Sequence, residues 1–309
     1  MLPDEAHHAP FPLVPRYRIA GLPFGTARST RRGRGSDLAG HRAYVRGDPI
    51  STIDWRASAK LSSARADDEF VVREHFADEA PQVVVVADRR PSMSLYPDWS
   101  PWLSKPDAAR NATRAIVASA LAARGAVGYL DVADGAPFAL APRGRSMLAL
   151  IDERAGRAGF TAGPDALARA LDHLARSFPS LGPGSFAFVL SDFLEPPPTA
   201  SWLRGLARRL ELVPVVIQDP TWEQTFPWAG RVVVPFLDPR DGALLEVRLR
   251  RAEARAERER RERARAELLR TFAALGLDPV LLDRSERAEV DRAFLEWAER
   301  RRRALWQRR

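Results

Sequence analysis

The hydrophobic pattern of the chain changes near residue 80. Before that point no helical periodicity is visible, and glycine and proline turn signals separate short extended stretches such as Glu69–Val72. After it come three continuous apolar runs, of the kind found in strands buried on both faces: Gln82–Ala87, Phe186–Leu190 and Val213–Ile217. The pattern predicts an irregular, β-containing lead-in followed by a regular α/β region.

Amphipathic helical segments alternate with these strands. The predicted helices are Asp107–Arg124, Ser146–Ala158, Pro164–Phe178 and a segment marked by Leu203, Leu206 and Leu210, and the shorter predicted strands are Gly128–Val132 and Pro137–Leu140. Wholly apolar strands that alternate with helices indicate a mainly parallel sheet covered on both faces. Right-handed crossovers then give a doubly wound α/β domain, which we expect over residues 81–240.

The segment after residue 240 is predicted to form a strand and charged helices that pack on this domain. A strand at Arg231–Phe236 precedes this boundary, and an Asp238–Gly242 turn joins it to a strand at Leu244–Leu249. The elements predicted after it are a charged helix at Arg250–Arg270, a short strand at Pro279–Leu282 and an amphipathic helix at Ser285–Arg303. In the charged helix, Glu257 and Arg261, and likewise Glu259 and Arg263, have the favourable i,i+4 order. The expected divisions are therefore 1–80, 81–240 and 241–309.

The composition limits the cellular compartments and the kinds of chemical site that we expect for this protein. The 309 residues include no cysteine, which excludes disulfides, zinc–thiolate sites, iron–sulfur clusters and thiol nucleophiles. No apolar run approaches the roughly 18–20 residues of a membrane helix. Met1–Arg16 has no signal-peptide core. We expect a cytoplasmic protein without membrane insertion.

The excess of basic over acidic residues is distributed unevenly along the chain. The formal net charge is +8, and only Lys60 and Lys105 are lysines. Most of the excess lies in residues 250–309, and basic clusters occur at 28–34 and 300–309. Such clusters attract phosphates, so nucleic-acid binding is one alternative. The charged helix mixes both signs and no aromatic platform accompanies it, which favours solvated faces instead.

Two aspartates follow buried strands of the predicted sheet. Asp88 ends the first strand and Asp192 ends the later one, and ligands of doubly wound sheets bind at this edge. Ser92 follows Asp88, and Thr161 precedes a predicted helix. Carboxylates and hydroxyls suit Mg²⁺. The other interpretation is that the aspartates cap helices or brace loops.

Enzymatic signatures are missing from the sequence. It contains no H-E-x-x-H, no G-x-S-x-G elbow and no G-x-x-x-x-G-K-[ST] loop. The residues after Asp88 also lack the second carboxylate of aspartate-nucleophile phosphatases. We therefore predict that the protein is not an enzyme.

A long motif lies before the first buried strand. The segment Gly40–Lys60 resembles the signature of the domain-of-unknown-function-58 family, and the resemblance extends over nearly everything after residue 25. The matching positions are Arg42, Tyr44, Gly47, Asp48, Ile53, Asp54, Trp55, Ser58, Ala59 and Lys60. We expect Arg42, Asp48, Asp54 and Arg56 to form a buried ion network that joins the lead-in to the sheet, with Trp55 as a packing anchor. A partner-binding role for this motif is the alternative.

The resemblance implies a fold similar to the von Willebrand factor type A domain. Its metal-ion-dependent adhesion site uses D-x-S-x-S after the first strand, a threonine from another loop and a later aspartate. Carried across, Asp88 and Ser92 match, and Thr161 and Asp192 are candidates for the other positions. Arg90 occupies the place of the first serine, so its guanidinium is a candidate to pair with an aspartate and replace the metal.

The resemblance also implies a partner, an AAA+ ATPase of the MoxR type that acts with this chain on an unidentified client protein. The hypothesis from the sequence is a non-enzymatic adaptor without a cofactor. The alternatives are a Mg²⁺-dependent ligand-binding type A domain and, third, a nucleic-acid-binding protein.

Overall fold

The fold is organised around a mainly parallel sheet, as a computed structural model of the chain gives it. The structure describes residues 8–16, 22–65, 69–95, 102–144, 146–178, 181–227, 232–237 and 243–306. The strands are β1 (Leu22–Ala43), β2 (Val71–Ala80), β3 (Gln82–Ala87), β4 (Ala126–Asp131), β5 (Phe138–Arg143), β6 (Phe186–Ser191), β7 (Glu211–Ile217), β8 (Val232–Leu237), β9 (Leu244–Leu249) and β10 (Val280–Leu282). The helices are α1 (Trp55–Arg65), α2 (Lys105–Ala122), α3 (Met147–Arg157), α4 (Ala166–Ser177), α5 (Thr199–Ala207), α6 (Arg251–Ala274) and α7 (Arg287–Trp306).

The central sheet has the order β10-β7-β6-β3-β4-β5, and every pair is parallel except the edge pair β4–β5. The predicted doubly wound α/β fold is confirmed, and its topology is compatible with a type A-like domain. The chain winds outward on one side of β3 through β4 and on the other through β6, so the topological switch point lies between β3 and β6. Strand β10 belongs to this sheet although it lies in the C-terminal region.

Helices cover both faces of the sheet. One face carries α2, α3 and α7, whose apolar side chains pack on alternate residues of β3 and β6, among them Val85 and Phe188. The other face carries α4, α5 and α6, which pack on the intervening residues, among them Val84 and Val189. Burial on both faces explains why the sequence of these strands is apolar throughout.

An N-terminal segment, residues 8–16, closes the first of these cores. Phe11 is buried, stacks on Phe294 with ring centroids 4.7 Å apart, and meets Phe188 and Trp297 edge-on. The backbone N–H of Phe11 donates to Ser119 Oγ at 2.9 Å. The segment thus contributes an aromatic side chain to the α2–α7 layer.

The lead-in differs from its prediction. β1 and β2 form a separate antiparallel ribbon with several register shifts. Helix α1 lies in the chain segment that connects these two strands. No helix was expected before residue 80. The reason is that α1 has the sequence WRASAKLSSAR, in which small and polar residues leave no apolar stripe.

The C-terminal elements follow the predicted order. β8 and β9 form a two-stranded antiparallel hairpin, and the Asp238–Gly242 turn lies outside the described residues. Within the described part of the chain, no helix combines the length and the apolar character needed to span a bilayer.

We predict that Phe11→Ala lowers the free energy of unfolding by about 3–5 kcal/mol, because it removes a buried ring and leaves a cavity against Phe294. Urea unfolding of the purified protein measures this change. Leu203→Ala is the matched control, since Leu203 is exposed on α5. Its expected change stays within about 0.5 kcal/mol. Equal effects of both variants would show that the N-terminal segment is not docked in solution.

Candidate functional site

Two buried aspartates meet at the switch point. Asp88 follows β3 and Asp192 follows β6, and these neighbouring parallel strands end at the same edge of the sheet. The backbone N–H of Asp88 donates to the carbonyl of Leu190 at 2.9 Å, which continues the strand pairing to the site. Both carboxylates are removed from water. Each one therefore requires compensation from within the protein.

Arg90 compensates Asp88. Its Nη2 donates to Asp88 Oδ2 at 2.6 Å, and its Nε lies 3.0 Å and 2.9 Å from the two carboxylate oxygens. Ser191 Oγ donates to the same Oδ2 at 2.7 Å. The remaining arginine nitrogen, Nη1, donates to the carbonyl of Glu195 at 2.7 Å. The guanidinium of Arg90 is thus an integral part of the site.

Lys105 compensates Asp192. Helix α2 begins at this lysine, after Ser104, whose hydroxyl oxygen accepts the N–H of Asp107 as an N-cap. Lys105 Nζ donates to Asp192 Oδ2 at 2.8 Å and to the carbonyl of Ser92 at 3.0 Å. It also forms an ion pair with Glu223, which lies beyond β7. A second cation therefore stands at the sheet edge.

The sequence reasoning missed Lys105, Glu223 and Ser191. A signal for the lysine was present, because Lys105 is one of two lysines in a chain whose other basic residues are arginine. Neither Glu223 nor Ser191 had a comparable signal. Ser191 is the last residue of an apolar strand, and Glu223 lies in a loop far along the chain from both aspartates.

The electrostatics of the site reflect this mutual compensation. Burial by itself raises the pKa of Asp192, but the charge and hydrogen bond of Lys105, together with the hydroxyl of Ser92, outweigh it and hold the pKa below its usual value. Burial lowers the pKa of Lys105, and the charges of Asp192 and Glu223 more than reverse this. Burial raises the pKa of Glu223. Lys105 therefore faces two carboxylates, of which Asp192 is the more acidic.

Ser92 and Thr161 occupy different surroundings. Ser92 lies beside Asp192, and the hydroxyl of Ser92 forms a hydrogen bond with the carboxylate of Asp192. The carbonyl of Ser92 accepts a hydrogen bond from Lys105, which also binds Asp192. Thr161 is exposed, and its hydroxyl donates to the carbonyl of Ala133, beyond β4, at 3.4 Å. The structure thus brings Asp88, Arg90, Ser92 and Asp192 together, whereas the hydroxyl of Thr161 is directed to another loop.

This donor set does not fit a divalent metal. A Mg²⁺ site needs carboxylate and hydroxyl oxygens with free lone pairs directed at one point. Here the oxygens of Asp88 accept from Arg90 and Ser191, those of Asp192 accept from Lys105 and Leu194, and two side-chain cations already compensate both carboxylates. In the described ranges, no three histidine, aspartate or glutamate side chains are grouped as metal ligands.

The long motif before the sheet forms an ion network on the ribbon. Arg42, on β1, binds Asp48 through two bonds of 2.7 Å and reaches Glu74, on β2, at 3.1 Å. Hydrogen bonds from Arg42 and from the N–H of Val45 lower the pKa of Asp48 to about 2. Gly47 has φ of 110°, which L side chains rarely adopt. The network holds the 44–50 turn against the ribbon.

The prediction that this ion network is buried and joins the lead-in to the central sheet is therefore wrong. Arg42 and Arg56 are exposed, and the network lies on the ribbon instead of reaching the central sheet. Asp54 Oδ1 accepts the N–H of Ala57 at 3.0 Å and caps α1, and its Oδ2 contacts His41. Trp55 is also exposed, and its ring meets only one edge partner among the described aromatic contacts, Phe70. It is not a buried packing anchor.

Charges on α6 are largely paired within the helix. Arg261 pairs with Glu257 as the spacing predicted, whereas Arg263 donates to the main-chain carbonyl of Glu259 and the carboxylate of Glu259 pairs with Arg255. These bonds are typical of a solvated helix face. Of the basic clusters, the side chains at 28–34 and residues 308–309 lie outside the described residues.

Comparison with known proteins agrees with the motif. The family model described as "Protein of unknown function DUF58" matches residues 40–267, which is most of the chain. No match is found among curated proteins. Among solved structures, the chain is similar to an aerotolerance-related membrane protein from Bacteroides fragilis NCTC 9343, crystallised with multiple mutations to serines. The identity is 17%, the TM-score is 0.45, and the match covers 71% of this chain and 99% of that one.

We predict that Lys105→Met lowers the free energy of unfolding by about 3–5 kcal/mol, because it leaves two buried carboxylates without their cation. Urea unfolding measures the loss. Lys60→Met is the matched control, since Lys60 is exposed on α1, and it should change stability by less than about 0.5 kcal/mol.

The loss in Lys105→Met should also depend on pH. Without the lysine, burial raises the pKa of Asp192 above its unfolded value, so protonation favours the folded state. The variant should therefore approach the wild type in stability as the pH falls into the acid range. A loss that stays constant between neutral and acid pH would contradict the charge-compensation account.

A metal titration tests the donor set. We expect Mn²⁺ to leave the Tm of the wild type unchanged and to raise the Tm of Arg90→Ser, because this substitution restores D-x-S-x-S at Asp88 and Ser92 and removes one cation. Arg90→Lys, which keeps the charge, is the control. Micromolar Mn²⁺ binding by the wild type that Asp88→Ala abolishes would overturn the account.

Proposed function

The chain belongs to the DUF58 family of proteins of unknown function, and from this premise we propose that it is a non-enzymatic adaptor that partners a MoxR-type AAA+ ATPase. The two would act in the cytoplasm on the assembly or maturation of a client complex. The partnership comes from the family resemblance. The chemistry of the sheet edge supports the non-enzymatic, metal-independent part of the proposal.

The observation that carries the proposal is the internal pairing at the switch point. This edge is the usual ligand-binding position of a doubly wound sheet. In this chain Arg90 and Lys105 neutralise its two buried aspartates. These ion pairs hold the loops of the edge together, and the loops would then contact another protein.

Four of the carboxylates near this edge are poorly placed for acid–base catalysis. A general base needs a lone pair directed at the substrate. These four already accept hydrogen bonds inside the protein: Asp88 from Arg90 and Ser191, Asp192 and Glu223 from Lys105, and Asp219 from the indole of Trp102 and two backbone N–H groups. This arrangement supports a binding role over a catalytic one.

Co-purification tests the proposal. The tagged chain and the MoxR-type ATPase of the same genome are expressed together, and size-exclusion chromatography follows with and without ATP. We expect the two proteins to elute as one complex, and an unrelated AAA+ ATPase to elute separately. The proposal fails if no complex forms in any nucleotide state. Hydrolysis of a substrate by the purified chain alone would contradict its non-enzymatic part.

A further inference from the structure

A run of three prolines lies at the carboxyl edge of the central sheet. Pro196, Pro197 and Pro198 stand between β6 and α5, shortly after the buried Asp192. The first and third of these prolines are exposed, and the middle one is half-buried. Leu194, just before the run, is 45% exposed. The edge therefore presents a short apolar surface to solvent.

Covalent geometry restricts the conformation of this segment. The pyrrolidine ring holds the φ of each proline near about −65°, and a residue that precedes proline is kept out of the helical region. Glu195, Pro196 and Pro197 all precede a proline, so each of them is limited to extended or polyproline II backbone. Pro198 itself has φ of −55° and ψ of 143°. Residues 195–198 therefore form a short polyproline II segment, which we call the proline segment.

The protein holds the proline segment at its start. Phe193 has φ of 50°, a conformation that a residue with a side chain rarely adopts. Its buried ring packs against the rings of Trp202 and Phe272, which keeps the backbone turned at this point. Arg90 Nη1 donates to the carbonyl of Glu195 at 2.7 Å. One cation of the buried ion pairs thus also positions the proline segment.

A polyproline II segment is recognised by a particular kind of partner surface. Proline rings pack between aromatic side chains, and the segment makes no internal hydrogen bonds, so its carbonyls can accept from tyrosine or tryptophan in the same groove. Because the backbone is restricted before binding, little conformational entropy is lost on association. A partner that packs on the outer side of these prolines leaves the ion pairs of Asp88 and Asp192 intact.

We infer that the proline segment, together with Leu194, is the surface through which the chain binds its partner, and that the partner offers a groove lined by aromatic side chains. This inference rests on the proposed function, because it names the contact made with the MoxR-type ATPase. The contact is apolar. Its affinity should therefore depend little on salt, and its formation should lower the heat capacity.

Two variants remove different parts of this surface. Pro196→Ala with Pro197→Ala removes two rings and relaxes the backbone, and Leu194→Ala removes the neighbouring apolar side chain. The matched controls lie elsewhere on the surface: Pro49→Ala, exposed on the turn of the ribbon, and Leu150→Ala, exposed on α3. Circular dichroism and thermal melting verify the fold of each variant, and Leu194→Ala keeps the test valid if the double variant does not fold.

Calorimetry measures the affinity of each variant for the MoxR-type ATPase at low and physiological salt and at several temperatures. We expect the double proline variant and Leu194→Ala each to weaken binding at least about fivefold, with both controls unchanged. The wild type should bind with nearly the same affinity at both salt concentrations. Its binding should show a negative change in heat capacity, which is smaller in magnitude for the double variant.

The outcomes distinguish the inference from the function on which it rests. If the wild type binds the ATPase and both variants bind equally well, the assignment of the proline segment is wrong and the proposed function stands. If the wild type does not bind, the proposed function fails and the inference fails with it. A wild-type affinity that falls steeply with salt would also overturn the inference, because charged groups and not an aromatic groove would then hold the partner.

Discussion

A carboxylate buried at the end of a parallel strand destabilises the fold by several kcal/mol unless a cation or hydrogen-bond donors compensate its charge. Two such carboxylates lie side by side here, because β3 and β6 are neighbours and an aspartate directly follows each of them. Arg90 and Lys105 supply the charge. The loop after β3, the start of α2 and the loop after β7 are held together by this one requirement.

The need to compensate these two aspartates also affects how the edge of the sheet can bind a ligand. In a metal-dependent type A site the ion supplies the positive charge and leaves a coordination position for a ligand. In this chain the positive charge is built from side chains, and those side chains already use their donors inside the protein. Ligand binding at the edge would have to break buried ion pairs.

Much of the fold was predictable from particular segments. Gln82–Ala87 and Phe186–Leu190 are apolar at every position, and only burial on both faces satisfies that pattern. Helix α1 was not predictable in the same way, because it is fixed by the Asp54 cap and by Ser58 instead of an apolar stripe. Only part of the candidate site could be predicted from the sequence. Asp88, Arg90 and Asp192 follow from strand ends and a motif, whereas Lys105 and Glu223 come from distant parts of the chain.

The sequence by itself determined the α/β class, the positions of the two aspartates directly after strands and the presence of an arginine two residues after the first of them. These features depend on local periodicity and short spacing, which a linear pattern preserves. The tertiary structure alone decided which cation pairs with which carboxylate and that the long motif lies on an exposed ribbon. Those outcomes depend on contacts between residues far apart in sequence, such as Lys105 and Asp192, and packing brings such residues together only in the folded chain.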